Sequence, residues 1–358
     1  MKISFKSIPA IVLISLVLAM ALQVTMDVPL VVGFAASAAL SLIPQPKGVG
    51  FMALQKEIWR NDIVKNLFRD NQFANKAVNA DNFVLAGAVV HIPVAGTPTD
   101  VKKNLTVFPQ VAVERSDSEL TYPLDTFYAL PRRIAQIDKY ELSYDKRMSV
   151  VGEDIAKLSQ VACDSLLVNW APVVANTILT SGAVQTADLI DATATGKRGA
   201  FTKAEYKTVL KKWAKADMVG ERYALLTPAH YYQFIESLSE PEKTDVGRVM
   251  NMKDGIVGQY MGINIMMRSS VLRYRGADGA YVVVDENAAG FAANAIDRAA
   301  SLFWTTASVE RALGEVDVFD NPGQALYYGD IFSAMIRMGG RIRRTAGVVA
   351  VVEKYEAA

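Results

Sequence analysis

Few side chains in this sequence could do chemistry. The chain holds one cysteine, Cys163, and two histidines, His91 and His230. Those counts exclude a multi-histidine metal centre, a cysteine-rich zinc site and an intrachain disulfide framework. Cys163 falls beside the apolar stripe of a predicted helix, where a thiol packs; a reactive thiol needs exposure and a positive neighbour. His91 sits on a predicted strand and reads as a solvent or interface side chain. His230 lies in the first turn of a helix started by Pro228, with no second ligand at helical spacing, so it caps or packs. The run Thr195-Gly196-Lys197-Arg198-Gly199 has the composition of a phosphate loop but lacks the spacing of one, and no clean apolar strand precedes it. Asp285 and Glu286 end a predicted strand, a place for catalytic acids in parallel sheets and more commonly for turn residues. No catalytic, cofactor-binding or metal-binding residue is assigned, and the chain reads as a non-enzyme with no cofactor.

What remains is basic. Arg337, Arg341, Arg343 and Arg344 cluster around the pair Gly339-Gly340. They are the polar face of a terminal strand, or they make subunit salt bridges, or they face packaged nucleic acid. A second group, Lys203, Lys207, Lys211, Lys212 and Lys215, lies on a predicted helix at 201–218 and reads as its solvated face. With 38 Lys and Arg against 37 Asp and Glu, the net charge is +1, which excludes a strongly basic nucleic-acid binder on bulk charge.

Positioning these residues requires several elements. The most prominent is a long helix within 140–181. Val151, Ile155, Leu158, Ala162, Leu166 and Trp170 recur every three or four residues, which is one stripe on a helix. Ser149 is the expected N-cap and Pro172 the expected kink. A thirty-residue helix spans about 45 Å, the length of a strut. Ahead of it, residues 83–135 alternate with period two, interrupted by Pro93, Pro109, Pro123 and Pro131. Prolines suit an edge ribbon and not a central strand. Behind it, Thr202 with Glu205 forms a capping-box pattern over a helix whose buried stripe is Tyr206, Leu210 and Trp213. The run YALLTPAHYYQFIESL at 223–238 reads as a buried strand, a Thr-Pro turn and a helix. The glycine-punctuated region that follows carries strands at INIMMRSS and AYVVVD, and the chain alternates again from 307 onward.

The first 51 residues differ in composition. Residues 7–26 and 28–46 carry no charge, and each is about long enough to cross a bilayer. They read as a membrane hairpin, as a signal sequence, or as a leader absent from the mature protein. Leu54 to Phe68 is amphipathic, with Trp59, Ile63 and Leu67 spaced by four. The polar stretch NQFANKAVNADN after it reads as loop.

The order of these elements resembles the major capsid protein of tailed double-stranded DNA phages, the Hong Kong 97-type fold. Three stretches carry the resemblance, over roughly Met52 to Tyr355: YALLTPAHYYQFIESL, GIVGQYMGINIMMRSSVL, and ELSYDKRMSVVGEDIAKLSQVACDSLLVNWAP. It implies an α+β chain with an N-terminal arm (52–82), an extended β-hairpin loop (83–135) and a peripheral domain with the spine helix (136–200). An axial domain (201–325) and C-terminal strands returning to the peripheral domain (326–358) complete it, behind the apolar leader (1–51). It also implies a virion protein, assembled in the host cytoplasm into hexamers and pentamers of an icosahedral shell around double-stranded DNA. Its partners would be its own copies, scaffold and portal proteins, and the packaged DNA by weak contact. Some members crosslink Lys to Asn, and Lys102, Lys103 and Asn104 sit near the expected ribbon tip with no pairing assigned. Two alternatives stay open: an encapsulin-like nanocompartment shell, and a membrane-anchored α/β protein using 7–46.

Overall fold

From Ile155 onward, the stripe read for the long helix is the stripe that the protein buries. Helix α1 (Asp145–Asn169) runs 25 residues, about 37 Å at helical rise. Ile155, Leu158, Ala162, Leu166 and the following Trp170 all lie in the core. Two details differ from expectation. The helix starts at Asp145, ahead of Ser149, and it closes at Asn169 with Trp170 in the turn. Pro172 therefore stands beyond the last helical residue and kinks nothing; its carbonyl accepts from the Tyr274 hydroxyl at 3.1 Å.

The computed structural model describes residues 60–61, 63–64, 67, 71–85, 89–94, 103–104, 118–135, 145–185 and 189–356. All of them belong to one unit, Ile58–Ala358. The apolar segments at 7–46 lie outside the described residues, as do most of the ribbon tip and the approach to α1 at 136–144.

In chain order before α1 come β1 (Val78–Asn79), β2 (Val84–Leu85), β3 (Val89–Val94), β4 (Ser118–Pro123), β5 (Asp125–Tyr128) and β6 (Arg132–Ala135). After it come β7 (Thr177–Leu179), β8 (Val184–Gln185), β9 (Lys197–Gly199), α2 (Lys203–Lys215), β10 (Arg222–Leu226), α3 (Pro228–Glu236) and α4 (Glu240–Gly247). Then follow β11 (Ile256–Tyr260), β12 (Ile263–Met267), β13 (Leu272–Arg275), β14 (Val282–Val284) and β15 (Arg298–Thr305). The last strands are β16 (Val309–Gln324), β17 (Gly329–Ile342), β18 (Val348–Val352) and β19 (Tyr355–Glu356).

An eight-stranded sheet is the centre, in the order β11-β12-β10-β15-β13-β14, with β18 paired to β15 and β7 paired to β18. Its central strands β15 and β18 are buried on both faces, so they read as apolar runs. Alternation sorts the side chains by face. Tyr223, Leu225, Leu302, Trp304, Val348 and Ala350 join the core that holds α1. Ala224, Leu226, Phe303, Val349 and Val351 join a second core with Phe201, Tyr206, Val209 and Trp213 around α2, and with Phe234 of α3. Each fully buried large side chain contributes about 1.5–3 kcal/mol over exposure.

A second sheet backs α1 from the other side. β16 and β17 pair antiparallel along their length, with bulges at Leu313/Val316 and Asn321/Gln324. β1 adds to β16, and β5 and β6 add to β17. The boundary expected at 325/326 falls in the turn of this hairpin, between two strands that pair with each other. β18 likewise joins the eight-stranded sheet and not the sheet on α1.

The described base of the ribbon is a small sheet, β2-β3-β4, separate from both larger ones. Pro93 lies opposite Glu119 on it, with β3 in the middle, and the alternation read over 83–135 is broken between β4 and β5 at the buried Leu124. The stretch 71–82, which reads as loop in the sequence, is knitted into the body. Trp304 Nε1 donates to the Lys76 carbonyl at 2.9 Å, and Asp81 accepts from the Leu313 N–H at 2.7 Å.

Candidate interface site

The arginine cluster is built by hairpin register. Glu310 on β16 lies directly opposite Arg341 on β17. Glu310 is buried, and a buried carboxylate needs partners. Arg341 Nε approaches its Oε1 to 2.5 Å, and Arg343 Nε approaches its Oε2 to 3.2 Å. Arg341 also covers the ring of Tyr122 at 5.7 Å. Burial, then the Glu310 charge, pushes the Tyr122 phenol well above its ordinary range. Arg337 Nη1 meets Glu315 at 3.7 Å, on a more exposed part of the sheet. No carboxylate among the described residues pairs with the exposed Arg344, whose backbone N–H donates to the Ser308 carbonyl at 3.2 Å.

Of the four arginines, then, the fold gathers Arg341 and Arg343 on one carboxylate, sets Arg337 on a neighbouring one and leaves Arg344 apart. Most of the cluster's charge is answered within the chain. The glycines serve packing. An added Cβ on Gly340 would stand 2.4 Å from Leu166 Cδ1 and 2.5 Å from the Glu310 carbonyl oxygen. One on Gly339 would stand 2.8 Å from Leu124 Cδ2. The bare backbone lets α1 sit against the hairpin, and Trp170 Nε1 reaches the Glu310 carbonyl at 3.0 Å.

A second charge network, missed in the sequence, joins β13, β15 and the loop before β9. The fully buried Asp297 accepts from Arg275 Nε at 2.6 Å, Arg273 Nη1 at 3.1 Å and the Asn294 N–H at 2.9 Å. Burial opposes its charge, but these donors outweigh burial, so its carboxyl stays below the ordinary range. Arg273 also holds Asp191 at 2.6 Å and Glu286 at 2.7 Å. The Thr193 hydroxyl and N–H, with Arg273, hold the Asp191 carboxyl at about 2. The signal available in the sequence is two arginines at alternate positions of an otherwise apolar strand, Arg273 and Arg275, which have to find acids.

The remaining singled-out residues are also engaged. Arg198, from the Thr195–Gly199 run, donates to the carbonyls of Thr195 at 2.8 Å and Asp297 at 2.9 Å and stacks on Tyr355. His230 is fully buried, with Nδ1 2.7 Å from Ser301 Oγ and Nε2 3.3 Å from Glu353. His91 Nδ1 lies 2.5 Å from Glu119 across the ribbon. Burial pushes the Cys163 thiol up to about 12. Asp285 accepts from the Asn287 N–H at 2.8 Å. Among the described residues, no group of three or more His, Cys, Asp or Glu is placed to hold a metal ion. Among them, no helix is long and apolar enough to cross a membrane.

Among the exposed large apolar side chains are Leu326, Tyr327 and Tyr328 at the β16–β17 turn, and Tyr128 and Leu130 beside β17.

No family model matches this chain, and no curated protein matches it. Solved structures do. The capsid of Ralstonia phage GP4 is 12% identical and superposes with a TM-score of 0.51, covering 78% of this chain and 87% of that one. The cyanophage Pam1 capsid is 10% identical, with a TM-score of 0.50, covering 79% and 89%. The fold is that of a tailed-phage major capsid protein. At this level the resemblance drawn from element order holds: a mixed α/β capsid fold with several sheets and one long helix. In this capsid fold the clamp at Glu310 sits where the long helix, the hairpin and the base of the ribbon meet.

Proposed function

We propose that the chain is a major capsid protein, a structural subunit that assembles into hexamers and pentamers of an icosahedral shell enclosing double-stranded DNA. The observation that carries this reading is the likeness of its fold to the GP4 and Pam1 capsids over more than three quarters of its length. Residues 52–82 serve as an arm and 83–135 as the extended ribbon. Helix α1 with the β16–β17 hairpin forms the peripheral domain. The eight-stranded sheet with α2, α3 and α4 forms the axial domain, a division that follows strand pairing and assigns β16 to the peripheral side. Closed shells need heterologous contacts around local axes. The exposed apolar residues at 326–328 and at Tyr128 and Leu130 are placed to supply them, and Arg344 is the member of the arginine cluster free to meet a neighbouring copy or DNA. Scaffold and portal proteins are further partners, and the virion, assembled in the host cytoplasm, is the destination.

Expression of the full chain followed by negative-stain microscopy and extraction of nuclease-protected contents tests the reading. Uniform closed particles holding DNA are expected. Closed particles holding protein and no DNA would make the chain a nanocompartment shell. A chain that stays monomeric at high concentration, or that fractionates with membranes, would overturn the proposal.

A further inference from the structure

Helix α2 carries its carboxylate inward and its lysines outward. Glu205 is 1% exposed; it closes the capping box with Thr202 and accepts from the Ser181 N–H at 2.6 Å and hydroxyl at 2.7 Å. Tyr206, Val209 and Trp213 fill the core beneath. The outer side consists of Ala204, Lys207, Thr208, Lys211, Ala214 and Lys215, all exposed. Lys207, Lys211 and Lys215 are four apart, so they climb the ridge in steps of about 6 Å. The flanking lysines are engaged elsewhere. Lys203 pairs with Glu242 at 3.0 Å, and Lys212 donates to the carbonyls of Ala175 and Thr177 at 3.4 and 3.3 Å. No carboxylate among the described residues pairs with the three on the ridge.

We propose that this ridge binds the phosphate backbone of the enclosed double-stranded DNA, an inference that rests on the capsid reading above. The ridge has no apolar residue larger than alanine, whereas a protein partner would seek an aromatic or aliphatic centre. Between the lysines stand only Ala204, Thr208 and Ala214, so a rod of charge can lie close. Lysine is a point charge on a flexible stem; it meets phosphates at a range of spacings and reads no sequence. With a net charge of only +1 on the whole chain, each contact is weak, and repetition over many subunits multiplies it.

The test measures binding of a short double-stranded DNA to the full chain, released from its particles as folded subunits, over a salt series, by fluorescence anisotropy. The Lys207→Gln, Lys211→Gln, Lys215→Gln triple variant is compared with the unaltered chain and with Lys203→Gln, and circular dichroism confirms that each is folded. The slope of log affinity against log salt is expected to flatten by about 2.7 in the triple variant, because three phosphates are no longer neutralised, and to stay unchanged in Lys203→Gln. An unchanged slope in the triple variant overturns the proposal, as does tighter binding of polyglutamate than of DNA by the unaltered chain. Negative-stain images of the same preparations before release keep the two readings apart. Particles with an unchanged slope defeat only the ridge, and failure of the unaltered chain to form particles defeats the capsid reading.

Discussion

Trp170 donates its indole N–H to the Glu310 carbonyl, 3.0 Å away, and the two meet beside a residue that has no side chain, Gly340. A helix end and a strand thus approach at backbone distance, and the side chain of the same Glu310 gathers Arg341 and Arg343. Packing and charge are coupled at one position.

Gly340→Ala is therefore expected to destabilise the fold. The new methyl meets Leu166 and a backbone oxygen at once, and overpacking of this kind costs about 1–3 kcal/mol. Denaturant unfolding measures it. The control is Gly220→Ala, whose Cβ would meet no atom within 4 Å and whose cost is the backbone strain of φ +125° alone.

The arginines should separate by role. Replacing Arg341 and Arg343 together with Ala leaves the buried Glu310 carboxylate uncompensated, at a cost of about 3 kcal/mol or more. Glu310→Gln should cost less, because Arg341 and Arg343 retain access to water. Arg344→Ala should stay within about 0.5 kcal/mol. Equal losses across the three variants would refute the clamp.

Acid should weaken the eight-stranded sheet. Asp191 and Asp297 both sit below their ordinary value of 3.8 in the folded chain. Each contributes stability above that value and loses it as pH falls toward the folded value, about 2 for Asp191. Thermal unfolding midpoints should drop as pH falls from about 5 to about 2, and Asp191→Asn should flatten that limb. A profile identical in the variant would count against the network.

Cys163 should be silent. With its thiol buried and pushed up to about 12, alkylation at neutral pH should be undetectable by mass spectrometry in the native chain and complete in denaturant. Rapid native modification would show that α1 leaves its sheet.

Local rules make the helices legible. Ile155, Leu158, Ala162 and Leu166 repeat with helical period, and Thr202 with Glu205 states its cap within four residues. The parts that stay hidden depend on distant partners. Glu310 acquires its meaning from Arg341, 31 residues on, and from Tyr122 on the ribbon. Residues 71–82 have no periodicity of their own; Trp304 and Leu313, more than 200 positions away, give them their order. Pro172 reads as a kink because apolar spacing continues through Trp170, while the backbone has already left the helix. The pairing of β16 with β17 is hidden for a similar reason: alternation marks strands but does not say which strands pair.

Strand β18 is made after both β7 and β15, yet it lies between them inside the central sheet, with Val348 through Val352 all buried. During synthesis β15 therefore waits with one edge open, and β7 with no neighbour at all, until residue 352 has left the ribosome tunnel. Nascent chains cannot finish this sheet early. Closure of the sheet waits on translation of β18, and a chain cut short by premature termination before Val348 would present a raw sheet edge to quality control.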